Sequence, residues 1–356
     1  PAAAPSPPPP PHPTPPGPRR PATPGGPAPR SAQHPPRGAK WPLVPPDQGP
    51  LLASRPRDVP LPRPAEVRGR RGRPHDGPMT IPTLAAQDGT TIPAIGLGTY
   101  RLQGEEGADA VARAIDAGYR LVDSAFSYEN EGAVGAAVRR SGVAREDVLV
   151  TSKLPGRHHA HDDAVRTVEE SVLRTGLDYL DLYLVHWPNP RVGRYVEAYE
   201  ALVECRDRGL VRHVGVSNFL PEHLDAVIAA TGVTPVVNQV ELHPYFPQPL
   251  QRAADAERGV VTEAWSPIGR ANDLLRDPVV TQVAAAHGVS PVQAILRWHV
   301  QLGVVPLPKA SSPERQRENL DVFSFELTTH EMNALTGLAR PDGRTNDQDP
   351  AVYEEL

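Results

Sequence analysis

Short apolar runs alternate with longer amphipathic windows from residue 81 onward, and this alternation constrains the fold more than any other feature of the chain. The short runs have the length and apolar content of buried strands, whereas the windows have the periodicity of helices. This pattern predicts parallel strands joined by crossover helices. The strand candidates are residues 95–97, 121–123, 148–152, 182–186, 211–216, 236–240, 260–264 and 304–307.

The helical windows lie between these strand candidates, and several begin with Pro or Asp in the first turn. Gly118 and Gly288 directly follow two of the windows, as is typical of helix C-termini. Repeated strand–helix units over this length predict an α/β protein with a single (β/α)8 TIM barrel. The windows are residues 108–117, 131–141, 162–175, 196–208, 221–230, 249–258, 278–287 and 291–301.

Two short extended runs, residues 81–84 and 92–95, precede the first full strand–helix unit. Gln87-Asp88-Gly89-Thr90 between them is typical of a hairpin turn. We expect an N-terminal β-hairpin that plugs one end of the barrel.

An open doubly wound sheet is the alternative fold. Its dinucleotide site usually carries G-x-G-x-x-G, and Gly96-Leu97-Gly98-Thr99-Tyr100-Arg101 has no third glycine.

Residues 1–78 differ in composition from the rest of the chain. They contain 27 of its 45 prolines, and 12 Lys and Arg against 4 Asp and Glu. With few backbone donors and few large apolar side chains, this segment is predicted to be a disordered tail before a barrel over residues 79–356. Met79 stands directly before the first regular pattern, so we predict that translation starts there and that the upstream residues are a misassigned start.

The composition also limits partners and compartment. A basic tail can bind nucleic acid or anionic lipid, but Trp41 is the single Trp, Tyr or Phe among these prolines and arginines, and we expect neither partner. Cys205 is the single cysteine, which excludes internal disulfides and favours a reducing compartment. No apolar run has the length of a membrane span. We therefore expect a soluble, cytoplasmic protein, and a monomer.

Polar side chains stand at the ends of successive strand candidates, where a barrel places its active site. Asp123 closes the second strand, Lys153 follows the third and His186 closes the fourth. Tyr128 lies in the loop after Asp123 and can reach the same barrel mouth. The later strands end in Ser217 and Asn218, Gln239, Trp265 and Lys309.

The side chains of Asp123, Tyr128, Lys153 and His186 together suit the protonation of an oxyanion. A phenol has a pKa of about 10 and is a poor acid at neutral pH, so we expect the Lys153 ammonium to lower the pKa of Tyr128. Asp123 would pair with Lys153 and hold its charge. His186 could donate a hydrogen bond to a substrate carbonyl oxygen and fix its approach.

Seven segments resemble the aldo-keto reductase family, across residues 80–345 and outside residues 1–78. They are Gly96-Leu97-Gly98-Thr99-Tyr100, Asp123-Ser124-Ala125-Phe126-Ser127-Tyr128, Thr151-Ser152-Lys153-Leu154, Leu184-Val185-His186-Trp187-Pro188, Gly215-Val216-Ser217-Asn218-Phe219, Asn238-Gln239-Val240-Glu241-Leu242-His243-Pro244 and Pro308-Lys309. The resemblance implies a barrel enzyme that reduces aldehydes and ketones with hydride from the nicotinamide C4 of NADPH. It also implies that Tyr128 is the proton donor, tuned by Lys153 and Asp123, with His186 orienting the carbonyl.

The cofactor residues are implied by the same resemblance. Ser217, Asn218 and Gln239 would hold the carboxamide, and Gly98 and Thr99 would also contact the cofactor. Trp265 would stack on the nicotinamide ring; tryptophan here is similar to the bacterial 2,5-diketo-D-gluconate reductase branch. The short loop of Ser266, Pro267, Ile268 and Gly269 would line the pyrophosphate with backbone N–H groups.

The adenosine end of the cofactor is matched by residues 309–319. Lys309, Ser311 and Arg315 resemble the pocket for the 2′-phosphate, and Glu318 and Asn319 the adenine contacts. Ala310 and Ser312 depart from the family pattern, where a serine and a further basic residue are common. We therefore expect NADPH as cofactor with a smaller preference over NADH than is usual, and NADH remains possible.

Tyr100, Phe126 and Trp187 are predicted to wall a pocket for a small carbonyl substrate. The loops after His186 and Trp265 are short, so we expect this pocket to be shallow and open. His158, His159 and His161 form a cluster without carboxylate or cysteine partners at ligand spacing, and we expect no metal. Two other functions stay open: an NADPH-sensing regulatory subunit with little turnover, and a Schiff-base lyase with Lys153 as nucleophile.

Overall fold

The computed structural model of the chain describes residues 81–271 and 273–355. Residues 1–78, predicted to be a disordered tail, and Met79, predicted to be the translation start, lie outside the described residues. The described chain forms a (β/α)8 barrel preceded by a β-hairpin, as the sequence predicts. The hairpin consists of β1 (Thr83–Ala85) and β2 (Thr91–Pro93), paired antiparallel with Leu84 opposite Ile92.

The barrel consists of eight parallel strands that pair in chain order. Because neighbouring strands run parallel, the chain must return to the same end of the barrel after each strand, and helices make these crossover connections. The strands are β3 (Leu97–Gly98), β4 (Leu121–Asp123), β5 (Leu149–Leu154), β6 (Leu180–Val185), β7 (Val211–Ser217), β8 (Val237–Glu241), β9 (Val261–Trp265) and β10 (Val305–Pro306).

The barrel closes where the first strand of the sheet meets the last. The backbone N–H groups of Gly96 and Gly98 donate to the carbonyls of Pro306 and Pro308, at 3.1 Å each, and Gly98 forms a parallel bridge with Lys309. A Cβ atom on Gly98 would lie 2.8 Å from the carbonyl oxygen of Leu307. Gly98 therefore allows the two backbones to approach this closely. We call the contact between residues 96–98 and 306–309 the barrel seam.

In the residues that the structure describes, ten α-helices surround or follow the barrel. They are α1 (Gly104–Ala117), α2 (Glu131–Arg140), α3 (His161–Thr175), α4 (Tyr195–Asp207), α5 (Pro221–Thr231), α6 (Pro249–Glu257), α7 (Pro278–His287), α8 (Pro291–Gln301), α9 (Pro313–Leu320) and α10 (Thr329–Thr336). The sequence windows located the first eight, although α1 starts earlier than predicted. They missed α9 and α10. The sequence of α9, PERQRENL, is almost entirely polar and gives no apolar periodicity.

The hairpin lies against the amino ends of the barrel strands, as predicted. The Gln87 N–H donates to the Gly259 carbonyl just before β9, and the Thr90 hydroxyl lies 3.0 Å from Nδ1 of His213 near the start of β7. Ile92 is fully buried and packs with barrel residues such as Leu182 and Val305. The hairpin thus closes the end opposite to the one where the candidate catalytic residues stand.

Helices α2 and α3 meet at a glycine. A Cβ atom on Gly135 of α2 would lie 1.8 Å from the carbonyl oxygen of Thr175, at the end of α3. We expect Gly135→Ala to destabilise the protein by about 1–3 kcal/mol. The new methyl group would clash with backbone atoms, and the energetic cost of this clash outweighs the gain in helix propensity from Gly to Ala, which is about 1 kcal/mol. Urea unfolding measures this. Gly142→Ala is the control, since no atom lies within 4 Å of its Cβ position; equal stabilities for both variants would contradict the prediction.

No single helix in residues 81–271 and 273–355 is long and apolar enough to cross a membrane. The neighbouring helices α7 and α8 meet that criterion only when taken together, across a bend of 89°.

Candidate active site

Three neighbouring strands and one turn bring the four predicted catalytic residues to the carboxyl end of the barrel. Asp123 is the last residue of β4, and His186 directly follows β6. Lys153 lies within β5 and not after it, because this strand extends to Leu154. Tyr128 ends a 3-10 turn, Phe126–Tyr128, that begins shortly after β4.

Lys153 and Asp123 form the predicted ion pair at the centre of this group. The Lys153 ammonium lies 2.6 Å from Oδ1 of Asp123 and donates to the backbone carbonyl of Ser124 at 2.7 Å. The lysine side chain is fully buried. Burial is the largest single influence on the pKa of Lys153 and lowers it, but Asp123, Tyr128 and Glu263 together outweigh burial, so the pKa lies above its ordinary value. Lys153 therefore carries a fixed positive charge.

Tyr128 lies directly above this charge. The Lys153 ammonium is 5.2 Å from the centroid of the phenol ring, and the His186 ring is 6.1 Å from it. Burial is the largest influence on the pKa of Tyr128 and raises it; Lys153 lowers it and Asp123 raises it further. The net pKa is above the ordinary value, contrary to our expectation, because desolvation of the phenolate outweighs the ammonium. Lys153 itself lowers the pKa of Tyr128, as predicted.

Glu263 joins the cluster and was not recognised in the sequence. It is fully buried on β9, and the Gln239 side-chain amide donates to both Oδ1 of Asp123, at 2.8 Å, and Oε2 of Glu263, at 2.9 Å. Burial, together with the Asp123 carboxylate, raises the pKa of Glu263 to about 7. An acidic residue in a strand predicted to be buried on both faces was the signal that could have revealed it.

A second polar network links the ends of β7 and β9 to the candidate catalytic residues. The Asn218 amide donates to the His186 carbonyl and to the Ser217 hydroxyl, at 3.0 Å each, and its oxygen accepts from the Trp265 indole at 2.8 Å. Ser217 in turn donates to the Gln239 carbonyl. Asn218 has a φ of 62°, which turns the chain sharply after β7. Trp265 is thereby held in a fixed orientation beside the site.

The loop after Trp265 turns tightly. Ser266, Gly269 and Arg270 all have positive φ, and the Gly269 N–H donates to the Ser266 carbonyl at 2.8 Å. Pro267 and Gly269 are buried, whereas Ile268 is half-buried and packs against the barrel core. Successive residues in such conformations expose backbone N–H groups on one side of a loop.

The barrel seam leads directly into a cationic surface at the start of α9. Lys309 and Arg315 are both exposed, and neither has an acidic partner in the described part of the chain. The Ser312 hydroxyl caps α9 by accepting from the Arg315 N–H at 3.4 Å, while Ala310 is buried. Ser311 is exposed, Glu318 half-buried and Asn319 buried. Two unpaired cations at a helix N-terminus favour a bound anion.

Comparison with known proteins agrees with this arrangement. Residues 94–340 match the Aldo/keto reductase family. A protein of Corynebacterium sp., 2,5-diketo-D-gluconic acid reductase B, is 51% identical over 276 residues, which cover 78% of this chain and 99% of that protein. The chain belongs to the aldo/keto reductase family. It is an oxidoreductase that acts on carbonyl groups.

Two solved structures with bound nucleotide are similar to this chain. An aldo-keto reductase of Bombyx mori in complex with NADP is 32% identical, with a TM-score of 0.71, and the match covers 78% of this chain and 99% of that one. A mutant of the protein Gox0644 in complex with NADPH is 39% identical, with a TM-score of 0.73, over 78% of this chain and 100% of that one.

In this reductase a C-terminal segment (residues 345–355) lies over the barrel mouth. The Thr345 N–H donates to Oε1 of Glu241 at 2.7 Å, the Tyr353 ring lies 4.5 Å from the Trp187 ring, and Glu355 lies 2.8 Å from Nδ1 of His186. We expected a shallow, open pocket from the short loops after His186 and Trp265. The structure differs because the cover comes from this distant segment.

The predicted substrate walls have different neighbours in the reductase. Tyr100 is 53% exposed and packs edge-on against Tyr128, with ring centroids 5.2 Å apart. Trp187 lies between Trp265, at 6.5 Å, and the C-terminal segment. Phe126 packs instead under the guanidinium of Arg174, 4.0 Å from its ring centroid. Tyr100 and Trp187 are therefore better placed than Phe126 to contact a substrate beside Tyr128.

Thr99 has a clear structural role. Its hydroxyl donates to the Asp123 carbonyl at 2.8 Å, and its carbonyl accepts from the Asn130 amide at 2.8 Å. These bonds tie the loop after β3 to the end of β4 and so help to place Asp123.

The three clustered histidines have different neighbours. His158 is 2.9 Å from the Thr167 hydroxyl, and His161 is 3.3 Å from Glu204. His159 is buried below the C-terminal segment, and neither of its ring nitrogens has a hydrogen-bond partner in the described part of the chain.

Proposed function

We propose that this reductase converts small aldehydes or ketones to alcohols with NADPH, and that Tyr128 supplies the proton. The observation that carries the proposal is the buried Lys153–Asp123 ion pair under the Tyr128 ring at the mouth of the barrel. A fixed cation beside a phenol is suited to a group that must give up a proton and then hold the resulting negative charge.

The residues present fit the cofactor. Lys309 and Arg315 would hold the 2′-phosphate with Ser311, the 266–269 loop would receive the pyrophosphate, and Trp265 would stack on the nicotinamide. Ser217, Asn218 and Gln239 would contact the carboxamide, Gly98 and Thr99 would lie beside it, and Glu318 and Asn319 would contact the adenine. Both side-chain N–H groups of Gln239 are already used by Asp123 and Glu263, which leaves its side-chain oxygen Oε1 for the carboxamide. NADPH, when bound, supplies the hydride that reduces the carbonyl carbon.

The proton chemistry follows from this chain's own residues. His186 donates a hydrogen bond to the carbonyl oxygen and holds it towards Tyr128. The Tyr128 hydroxyl gives its proton to that oxygen as negative charge develops, and the Lys153 ammonium stabilises the phenolate that remains. Asp123 keeps Lys153 in place and charged. Asn218 holds the His186 backbone, so the hydrogen-bond donor is positioned before substrate arrives.

The Schiff-base lyase is disfavoured by the state of Lys153. A nucleophilic lysine must be neutral, whereas this side chain is paired with Asp123 and its pKa is raised. The regulatory subunit is disfavoured because the complete Asp, Tyr, Lys and His group is assembled at the barrel mouth. Borohydride trapping of a substrate on Lys153 would support the lyase.

The proposal is tested by the absorbance of NADPH and NADH in the presence of aldehydes, ketones, α-dicarbonyls and keto sugars. We expect carbonyl-dependent oxidation of NADPH, and slower oxidation of NADH. The Lys309→Ala, Arg315→Ala double variant should raise the KM for NADPH about 10-fold or more and leave that for NADH nearly unchanged, because only NADPH carries the 2′-phosphate. No oxidation of either nucleotide with any carbonyl would overturn the proposal.

Arg276→Ala is the matched control, since this exposed arginine pairs with Asp273 on a surface turn and with no other acidic residue among those that the structure describes. A similar rise in KM for NADPH in the control and in the double variant would show that general surface charge, and not a phosphate site at α9, sets the preference.

A further inference from the structure

Glu263 is a buried acid whose side chain has one hydrogen-bond partner, Gln239, among the described residues. The two residues are register partners on the neighbouring strands β8 and β9, and the Gln239 amide nitrogen donates to Oε2 of Glu263 at 2.9 Å. Glu263 is fully buried, and its Oε1 has no hydrogen-bond partner in the described part of the chain. Burying a carboxyl group with so few bonds is unfavourable for folding. The arrangement therefore points to a role other than stabilising the barrel.

The carboxyl groups of Asp123 and Glu263 determine the orientation of the Gln239 amide. One terminal atom of this amide lies 2.8 Å from Oδ1 of Asp123 and 2.9 Å from Oε2 of Glu263. That atom must be the nitrogen, because an amide oxygen between two carboxylate oxygens would be repelled by both. Turning the amide over is therefore unfavourable, and Oε1 of Gln239 is left free to accept a hydrogen bond from a ligand.

Asp123 alone holds this amide less firmly than the two acids together. Its Oδ1 also accepts from the Lys153 ammonium at 2.6 Å, so Gln239 shares this oxygen with a buried cation. Burial and the Asp123 carboxylate raise the pKa of Glu263 to about 7. On either side of that value the carboxyl group of Glu263 keeps an oxygen without a proton, which can accept from Gln239. The orientation of Gln239 therefore does not depend on the charge of Glu263.

We propose that Glu263 is a positioning residue for the nicotinamide nucleotide, which holds the Gln239 amide so that its Oε1 accepts from the carboxamide NH2 group. This role rests on the proposed function, in which Gln239 contacts the carboxamide. Glu263 acts through Gln239 and touches neither the nucleotide nor the substrate. NADPH and NADH carry the same carboxamide, so Glu263 contributes equally to the affinity for both, in contrast to Lys309 and Arg315.

Glu263→Met separates positioning from stability. Methionine has a similar length but no strong acceptor, so it removes the buried carboxyl group together with one bond to Gln239. We expect the Kd for NADPH and the Kd for NADH to rise by the same factor, about 10-fold, as for the loss of one hydrogen bond. Titration calorimetry measures both. The midpoint of urea unfolding should be no lower than in the parent protein, whereas a purely structural role would lower it.

Glu263→Gln is the conservative variant, and Asp255→Asn is the matched control. The oxygen of a glutamine at 263 can still accept from Gln239, so both nucleotide affinities should stay within about 2-fold of the parent values. Asp255 is a buried carboxyl group that accepts from Asn238 of β8 and Thr262 of β9, the neighbours of Gln239 and Glu263 along each strand. Its substitution should leave both affinities unchanged. An equal loss of affinity in Asp255→Asn and Glu263→Met would overturn the proposal.

The acetylpyridine analogue of NADP⁺ tests the contact itself, because a methyl group replaces the NH2 of its carboxamide. Glu263→Met should weaken the binding of NADP⁺ about 10-fold and that of the analogue by less than about 2-fold. An equal loss for both ligands, or no loss for NADP⁺, would overturn the proposal. The expected pattern in a protein that oxidises no NADPH with any carbonyl would keep the role of Glu263 and reject the proposed function. Absence of NADP⁺ binding to the parent protein would reject both.

Discussion

Tyr128→Phe should reduce carbonyl-dependent NADPH oxidation by about 10²–10⁴-fold, the range that a positioned general acid contributes. The substitution removes the hydroxyl that would protonate the developing alkoxide and keeps the ring between Tyr100 and His186. It also keeps the Tyr128 backbone carbonyl, which accepts from Gln103 at 2.9 Å. The loss should therefore appear in kcat, with little change in folding or in the affinity for NADPH.

Steady-state kinetics together with NADPH binding by fluorescence measures this effect. Tyr179→Phe is the matched control: Tyr179 stacks under Arg145 and Arg212 just before β6, away from the barrel mouth. It should keep full activity. Unchanged turnover in Tyr128→Phe would reject the proton-donor role and favour the NADPH-sensing regulatory subunit.

Lys153→Met should abolish turnover and also destabilise the fold, by about 3–5 kcal/mol. The methionine fills most of the space of the lysine stem, but it leaves the buried Asp123 carboxylate without its cation and the Ser124 carbonyl without its donor. Tyr128 would also lose the charge that lowers its pKa. Urea unfolding and kcat should therefore change together in this variant.

The double variant Asp123→Asn, Lys153→Met separates the two effects. Removing both charges relieves the unpaired carboxylate, so stability should recover in part, whereas turnover should stay as low as in the single variant. If Lys153→Met alone is as stable as the parent protein, the buried ion pair does not make the predicted contribution to the free energy of unfolding.

The strands, and the grouping of the candidate catalytic residues at one end of the barrel, were predictable because they depend on local pattern. Most of the apolar runs end in a polar residue or are followed by one. Parallel strands of a barrel place all such ends at one mouth, so the sequence alone predicts that Asp123, Lys153 and His186 lie together. Helix windows were equally readable wherever an apolar face recurs, as in α8, whose predicted and observed bounds coincide.

The features that escaped prediction depend on distant contacts or on burial. Helix α9 carries no apolar stripe and is defined by its Ser312 cap. Glu263 stands in a strand predicted to be buried, which marks it as unusual, but its contact with Gln239 and its place beside Asp123 depend on neighbouring strands. The position of Glu355 follows from backbone bonds to Asn189, far away along the chain, and no periodicity in residues 345–355 encodes that contact.

The barrel seam makes completion of the fold depend on residues near both ends of the described chain. Gly98 and Lys309 pair across the full set of intervening strands, so during synthesis the barrel cannot close, and two strand edges stay unpaired, until residue 309 has left the ribosome. The same lysine presents its side chain to the proposed phosphate site. A ligand bound there would favour the closed barrel by mass action, so nucleotide supply would become a determinant of how long a newly made chain survives proteolysis.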